Sequence, residues 1–193
     1  LSPDSAHVSG GPSSRPLADV IGNNITLNAG ATSGGLGGIG STSNNLDIDS
    51  GYSGPGVLTA SSKLEHIYII ETGADGTPTL DEDLNLFEIN AIGGNKTAFI
   101  TAPLGRIRNG KNTGSNSNVL SGKLWVYATG DIGEADKPIT TSIGNIEGIS
   151  TSGSMYICNS GPLKVGGVTD SINGASAGGM QAGTSVLLCA TSP

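Results

Sequence analysis

The chain has 193 residues and a net charge of −7, and its nine lysines and arginines do not cluster. This charge balance argues against nucleic-acid binding by phosphate neutralisation and against attraction to an anionic membrane. Glycine alone accounts for 32 residues, whereas charged residues are 13% and aromatic residues 4% of the chain, and the hydrophobic share of 35% favours a folded protein over a disordered one.

The first 20 residues contain three prolines and several serines, without hydrophobic periodicity. We predict an irregular N-terminal linker or cap over residues 1–20. From residue 21 onward, short runs alternate apolar and polar residues and end at glycine, asparagine, serine or proline. Alternation places one set of side chains on a buried face, so each run predicts a strand, and no segment predicts a helix or a membrane span. The clearest runs are 25–27, 46–48, 67–69, 84–86, 99–101, 124–126, 155–157 and 163–165.

Two blocks of the chain share one order of motifs. Short strands that recur in this way are typical of stacked coils, because no coil can bury its apolar face alone. We therefore predict a parallel β-helix, or β-solenoid, over residues 21–193, with a diverged insertion near residues 71–120. The alternative is an antiparallel β-sandwich, which also turns at short intervals. The matching motifs are GIG at 38–40, Leu46 and IYIIETG at 67–73 in the first block, and DIG at 131–133, Ile139 and MYICNSG at 155–161 in the second.

Residues 128–139 read ATGDIGEADKPI, and residues 143–168 read IGNIEGISTSGSMYICNSGPLKVGGV. These stretches resemble the repeats of filamentous-haemagglutinin-like large exoproteins of bacteria. The resemblance covers residues 124–168 well and residues 25–75 weakly. It implies a right-handed β-helix, a secreted or cell-surface location, and a structural or adhesive scaffold without enzymatic activity. Because the ends of a β-solenoid are unpaired strand edges, we also expect contact end to end with neighbouring segments or subunits, and the further expected partners are glycans or proteins of a host or cell surface.

Two other functions are compatible with the same fold, namely a carbohydrate-binding module and a polysaccharide lyase or hydrolase. Arg106 and Arg108 would lie on one face of a strand and could contact an anion, and Trp125, if exposed, could stack on a sugar ring. Lyases and hydrolases, however, need carboxylates set for acid and base roles, or a Ca²⁺ site with a proton-abstracting base. Neither a nucleophile elbow nor the companion motifs of such enzymes occur, so we predict no catalytic residues.

An acidic stretch supplies the main candidate cofactor site. Asp75, Asp81 and Asp83 could bind Ca²⁺ through their carboxylates, although the sequence matches neither an EF-hand nor the glycine-rich calcium repeat. A charged loop in water is the simpler interpretation, and no other cofactor is predicted. Cys158 and Cys189 are too few for a zinc site or a disulfide framework. They form either a disulfide between two coils or two small buried side chains.

Overall fold

The structure, a computed structural model, describes most of the chain, and the predicted linker over residues 1–20 lies almost entirely outside that part. Within it the protein is all-β and contains no α-helix. Accordingly, these residues include no helix of the length and apolarity that crossing a membrane requires. The described residues are 18–30, 37–51, 54–72, 82–93, 95–111, 116–168 and 178–191.

Each alternating run of the sequence lies in a strand, apart from Leu163, which precedes one. The predicted all-β class is therefore confirmed. The strands of the described residues, in chain order, are β1 Val20–Ile21, β2 Asn24–Ala29, β3 Leu46–Asp49, β4 Val57–Ser62, β5 Ile67–Glu71, β6 Leu84–Ala91, β7 Thr97–Ala102, β8 Ile107–Asn109, β9 Val119–Ser121, β10 Lys123–Ala128, β11 Ile139–Ser142, β12 Asn145–Ser150, β13 Met155–Ser160, β14 Lys164–Val165, β15 Met180–Ala182 and β16 Val186–Thr191.

These strands form two sheets, and the chain passes back and forth between them. Sheet 1 has the order β1-β3-β5-β7-β10-β12-β14, and β15 also pairs with β12. Sheet 2 has the order β2-β4-β6-β9-β11-β13-β16, and β8 also pairs with β6. We call one passage through both sheets a coil. The strands of successive coils lie side by side, about 4.8 Å apart.

Every ladder between named strands is parallel, and the one antiparallel contact among the described residues is an isolated bridge from Ser41 to Asn44. The alternative prediction of an antiparallel sandwich is therefore wrong. Antiparallel neighbours need short hairpins, whereas here consecutive strands lie in opposite sheets and neighbours are one coil apart in sequence. The scarcity of two-residue hairpin signals in the sequence agrees with this result.

The inward side chains of both sheets form one hydrophobic core that extends through the coils. In sheet 1, Ile69 lies beside Ile100, and Ile100 beside Val126. Burial of each such side chain contributes about 1.5–3 kcal/mol relative to an exposed one. Because each inward residue packs against the coils before and after it, no coil has a core of its own. The aliphatic residues that are almost completely buried include Ile48, Leu58, Ile67, Ile69, Leu84, Leu86, Ile89, Ile100, Ile107 and Leu124.

The range 71–120, where the sequence suggests a diverged insertion, contributes strands to both sheets. The strands β6, β8 and β9 of this range lie in sheet 2, and β7 lies in sheet 1. Residues 73–81 and 112–115 of the same range lie outside the described residues. The sequence of this range differs from the repeated motifs, but its strands stack in the same two sheets as those of the rest of the described chain.

The first copy of the repeated motif forms a loop that leaves sheet 1 and returns to it. Ile39 pairs with Ile67, and Leu46 pairs with Ile69. The two partners on β5 are separated by a single residue, so residues 40–45 must loop out between the two pairings. The loop thus adds five residues between the two pairings, and both pairings still involve residues on one face of β5.

The second copy forms the same loop in the other sheet. Ile132 pairs with Met155, and Ile139 pairs with Ile157, so that residues 133–138 loop out of sheet 2. The step from Ile132 to Ile139 has the same length along the chain as the step from Ile39 to Leu46 in the first copy. The repeat read from the sequence is thus one local structure used twice.

A glycine in the left-handed region begins each of these loops. Gly40 has a φ of 65° and Gly133 a φ of 72°, a conformation that residues with a side chain rarely adopt. A Cβ atom at Gly40 would overlap the carbonyl oxygen of Tyr68, and one at Gly133 would overlap that of Tyr156. Both the backbone conformation and the close approach of the next coil therefore require glycine.

Candidate functional site

The two arginines that the sequence marks as an anion-contacting pair lie at the start of β8, on either side of the buried Ile107. The guanidinium of Arg108 lies between two carboxylates from the coils on its two sides. Its Nε is 2.9 Å from Asp83 Oδ2, and its Nη1 is 2.9 Å from Glu134 Oε1. Arg108 is thus neutralised within the protein, and it joins three successive coils.

Arg106 is more exposed and more weakly paired. Its Nε lies 3.9 Å from Asp131 Oδ2, and the stem of its side chain crosses Gly130, where a Cβ atom would come within 2.6 Å of Arg106 Cγ. With Asp83, Asp131 and Glu134 nearby, carboxylates outnumber guanidinium groups on this surface. That balance disfavours binding of a polyanionic sugar, because the negative charges would repel it.

Of the three aspartates predicted to hold Ca²⁺, only Asp83 belongs to the described residues. Its Oδ1 accepts a hydrogen bond of 2.8 Å from the backbone N–H of Arg106, and its Oδ2 accepts one of 2.9 Å from Arg108. Asp75 and Asp81 lie outside the part that the structure describes, and the calcium site stays a prediction. Within that part no group of three histidine, cysteine, aspartate or glutamate residues is placed to hold a metal ion.

Trp125 belongs to a row of aromatic side chains on the outer side of sheet 1. Tyr68, Phe99 and Trp125 are neighbours in register on β5, β7 and β10. The rings of Tyr68 and Phe99 are stacked, with centroids 4.4 Å apart and planes 8° apart. Trp125 is only 2% exposed and packs in a cluster with Val168 and the half-buried Ile149. A ring buried to this extent presents no face to a sugar, so its contribution is to packing.

Sequence reasoning singled out Trp125 but missed its two aromatic neighbours. The signal was present in the alternating runs, because each of these three strands carries an aromatic residue between two aliphatic ones. Alternation predicts that such residues point away from the core, and in most proteins that means into solvent. Here the outer side is covered as well, so all three aromatic residues are buried.

Glu147 continues this row next to Trp125 and is buried. Its Oε1 accepts a hydrogen bond of 3.1 Å from the backbone N–H of Val168, and its Oε2 has no hydrogen-bond partner among the described residues. The carboxylate thereby holds the residues after β14 against the outer side of sheet 1. We assign this glutamate a packing role in closing the end of the aromatic row.

A buried asparagine that the sequence did not mark anchors the connection between β8 and β9. Asn118 Nδ2 donates to the Leu86 carbonyl at 2.8 Å and to Asn109 Oδ1 at 2.9 Å. Its Oδ1 accepts hydrogen bonds from the N–H and hydroxyl of Thr140, at 3.0 and 2.9 Å. One amide thus satisfies polar groups on three coils, which a buried polar group requires.

Lys111, in the same connection, is almost fully buried. Its ammonium donates to the carbonyls of Asn116 at 3.1 Å and Ser117 at 2.8 Å, and it lies 3.8 Å from Glu88 Oε2. The charge also lies 5.4 Å from the centre of the Phe87 ring. These contacts engage the ammonium within the protein, which supports a role in holding the loop.

Cys158 and Cys189 are joined by a disulfide between neighbouring coils. They are partners in the β13–β16 ladder, with Cα atoms 4.5 Å apart, and lie on the outer side of sheet 2. The sequence left open a disulfide or two small buried side chains, and the structure contains the disulfide. The bond fastens the last strand of sheet 2 to the strand before it.

We expect loss of this disulfide to lower the free energy of unfolding by about 2–4 kcal/mol, because the bond closes a sequence separation of 31 residues in the unfolded chain. Urea unfolding of the wild type with and without a reductant measures the difference. The double variant C158S/C189S should match the reduced wild type and should not respond to reductant. Identical urea midpoints for oxidised and reduced wild type would contradict the expectation.

Comparison with known proteins adds no relative to these observations. No family model matches the chain, and no curated protein or solved structure matches it significantly. The resemblance to filamentous-haemagglutinin-like repeats stays a prediction from sequence. What the chain does must therefore be inferred from its own geometry.

Proposed function

We propose that the chain is a segment of a right-handed β-solenoid that serves as an extracellular structural and adhesive scaffold, in a secreted or surface-anchored adhesin or filament. The observation that carries the proposal is the parallel stacking of successive coils around one shared core. Right-handedness is supported by the strong general preference of parallel crossover connections for that hand. Stacked coils give a stiff body whose loops can act together on a surface, so that weak contacts add up.

The cross-coil disulfide supports an extracellular location. Disulfides form and persist in oxidising compartments and are rare in the cytosol, where thiols are kept reduced. The half-buried position of Cys158 and Cys189 leaves their sulfurs within reach of cellular reductants. A bond that fastens the last strand of a sheet is most useful where it is permanent.

A scaffold role is also supported by how the candidate site residues are used. Arg108 and Asp83 are paired with each other, and Trp125 is part of the packing. All three residues stabilise contacts between coils, as the proposal of a scaffold requires. The proposed partners are neighbouring segments or subunits end to end, together with glycans or proteins that contact the loops.

Antibody labelling of the producing cells tests the location. We expect intact cells or their culture medium to be labelled as strongly as permeabilised cells. A cytosolic protein labelled in parallel serves as the control and should be seen only after permeabilisation. If the chain behaves like that control, the extracellular proposal fails.

A polysaccharide assay tests the scaffold against the enzymatic alternative. Incubation of the purified chain with pectic polymers should leave their length unchanged, whether or not Ca²⁺ is present. Shortening of the polymer by the wild type, with no shortening by an Arg106→Ala variant of equal stability, would replace the scaffold by a lyase or hydrolase.

A further inference from the structure

Stacking of the coils brings together four lysines that are scattered along the sequence. Lys63 and Lys96 lie in turns that lead from sheet 2 to sheet 1, and Lys123 and Lys164 begin β10 and β14, which follow such turns. The strands after these turns, together with β12, are successive neighbours in the order β5-β7-β10-β12-β14 of sheet 1. We call the four residues the lysine edge. It spans five coils, which at about 4.8 Å per coil is a length of about 19 Å.

The lysine edge is a single column of side chains. The first residue of β12 pairs in register with Lys123 on one side and with Lys164 on the other, so the backbones of these two lysines stand about 10 Å apart. The backbone N–H of Lys123 donates to the carbonyl of Lys96 at 2.9 Å. Both Lys63 and Lys96 approach Gly93, where an added Cβ atom would be 3.5 Å from Lys63 O and 3.4 Å from Lys96 Cγ. The column is therefore fixed by contacts between successive coils.

Three of these ammonium groups have no carboxylate to pair with. Within the described residues, Glu65 is the only acidic residue in the turns from sheet 2 to sheet 1, and its Oε2 lies 3.2 Å from Lys96 Nζ. Lys63, Lys123 and Lys164 form no salt bridge in the described part of the chain. The two arginines of the candidate site and the buried lysine before β9, by contrast, all contact carboxylates. The positive charge of the lysine edge is thus available to a partner.

Other surfaces of the solenoid are acidic. The turns that lead from sheet 1 to sheet 2 carry Asp83, Asp131, Glu134 and Asp136, and carboxylates outnumber basic side chains in the described part of these turns. The net charge of the chain is −7. A column of positive charge on a negatively charged protein attracts an anion to that column and repels it from the surfaces on either side. The lysine edge therefore fits a narrow anionic ligand.

Leu64 and Ile92 add apolar surface to the lysine edge. Leu64 directly follows Lys63 and is 41% exposed, and Ile92 lies in the turn that contains Lys96 and is 52% exposed. A sugar ring presents apolar C–H groups together with its polar substituents. A polysaccharide that carries acidic groups therefore matches both the charges and the apolar side chains of this edge.

Other polyanions match the lysine edge less well. Proteins hold single-stranded nucleic acid through aromatic side chains on which its bases stack, in addition to positive charge. The aromatic residues next to the lysine edge on sheet 1 are Tyr68, Phe99 and Trp125, and all three are buried. A duplex or an anionic membrane is wider than one column of lysines, so it would also meet the carboxylates of the neighbouring surfaces. A linear polysaccharide is narrow enough to follow the column and needs no stacking.

We infer that the lysine edge binds a linear acidic polysaccharide, whose carboxylate or sulfate groups pair with Lys63, Lys123 and Lys164. These three lysines belong to every second coil, about 10 Å apart, so the polymer lies across the coils and repeats the same contact. Contacts that are weak singly add up along the polymer. The inference deepens the proposed adhesive scaffold by naming the class of its partner, and it rests on that proposal for the extracellular location.

Titration of labelled polymers with the full-length chain tests the inference. Dextran sulfate supplies sulfate groups, polygalacturonate supplies carboxylates, and neutral dextran is the control. We expect at least one of the acidic polymers to bind at low salt and to dissociate as added salt screens the charges. The polymer that binds more tightly identifies the anionic group. Binding of neither acidic polymer overturns the inference, and so does equal binding of neutral dextran.

Lys123→Gln and Lys164→Gln should each weaken binding roughly two- to fivefold, because each removes one exposed charge pair. Lys137→Gln is the matched control, since it changes the net charge by the same amount but lies in the loop at residues 133–138, which leaves sheet 2. Its affinity should equal that of the wild type. Circular dichroism verifies the fold of all three variants. Equal losses at Lys137 and at the lysine edge would show that only the net charge matters and would overturn the inference.

Two further probes compare the polysaccharide with other polyanions. Single-stranded oligothymidine and vesicles that contain phosphatidylserine should bind more weakly than the acidic polymer at the same salt concentration. Tighter binding of either probe overturns the assignment to a polysaccharide. Failure of the inference is distinct from failure of the scaffold. Surface labelling of cells without binding of a polymer removes the inference alone, whereas binding by a chain that is found only in the cytosol removes the extracellular scaffold and leaves the site.

Discussion

Replacement of Gly133 by alanine should lower the free energy of unfolding by about 2–5 kcal/mol. A side chain in the left-handed region costs about 1–2 kcal/mol, and Gly133 has a φ of 72°. The new Cβ would also overlap the carbonyl oxygen of Tyr156 and come within 2.9 Å of the backbone nitrogen of Ile139. Both atoms belong to residues held in sheet 2, so relief of the clash costs about 1–3 kcal/mol more. Urea unfolding followed by circular dichroism measures the loss.

Gly161→Ala is the matched control for this prediction. Gly161 has a φ of 99°, but nothing lies within 4 Å of a Cβ atom added there. Its substitution should therefore cost only the conformational part, about 1–2 kcal/mol. Gly40→Ala should behave like the variant at Gly133, because it has both the positive φ and the close carbonyl. Equal losses at Gly133 and Gly161 would show that the approach of the neighbouring coil has no energetic effect.

Trp125→Ala should lower the free energy of unfolding by about 3–5 kcal/mol, the usual cost of removing a large buried aromatic side chain. Trp125 is 2% exposed and packs beside Phe99, which is completely buried. Trp125 is the only tryptophan in the chain, so its fluorescence reports this environment directly. The native wild type should emit at short wavelength, and the emission should shift to longer wavelength on unfolding.

Tyr127→Ala provides the comparison on the same strand. Tyr127 lies two residues along β10 on the same outer side but is only half-buried, and its substitution should destabilise the protein less. Binding to a glycan array, measured in parallel at a temperature where each variant is folded, separates packing from recognition. A Trp125→Ala variant of unchanged stability that loses glycan binding would instead assign this residue to a binding surface.

Only those features of the candidate site that depend on residues close together in sequence could be predicted. Alternation around Ile107 indicates that Arg106 and Arg108 share one side of a strand, and the structure places them so. The contact of Arg108 with Asp83 and Glu134 is not visible in the sequence, because these carboxylates lie 25 and 26 residues away along the chain. Which residues of neighbouring coils meet depends on the length of every loop between them.

The same difference holds for the fold. Period-two alternation determined which residues form strands. The paired motifs around Ile39 and Ile132 determined that one loop structure occurs twice. Both could be read from the sequence because strand faces and turn glycines are local properties of the backbone. Only the tertiary structure decided that the first loop belongs to sheet 1 and the second to sheet 2. It alone brought Cys158 beside Cys189. Such pairings depend on the number of residues in each coil. That number changes from coil to coil through the loops and through an extra residue in β6, Phe87, opposite the step from Leu58 to Thr59.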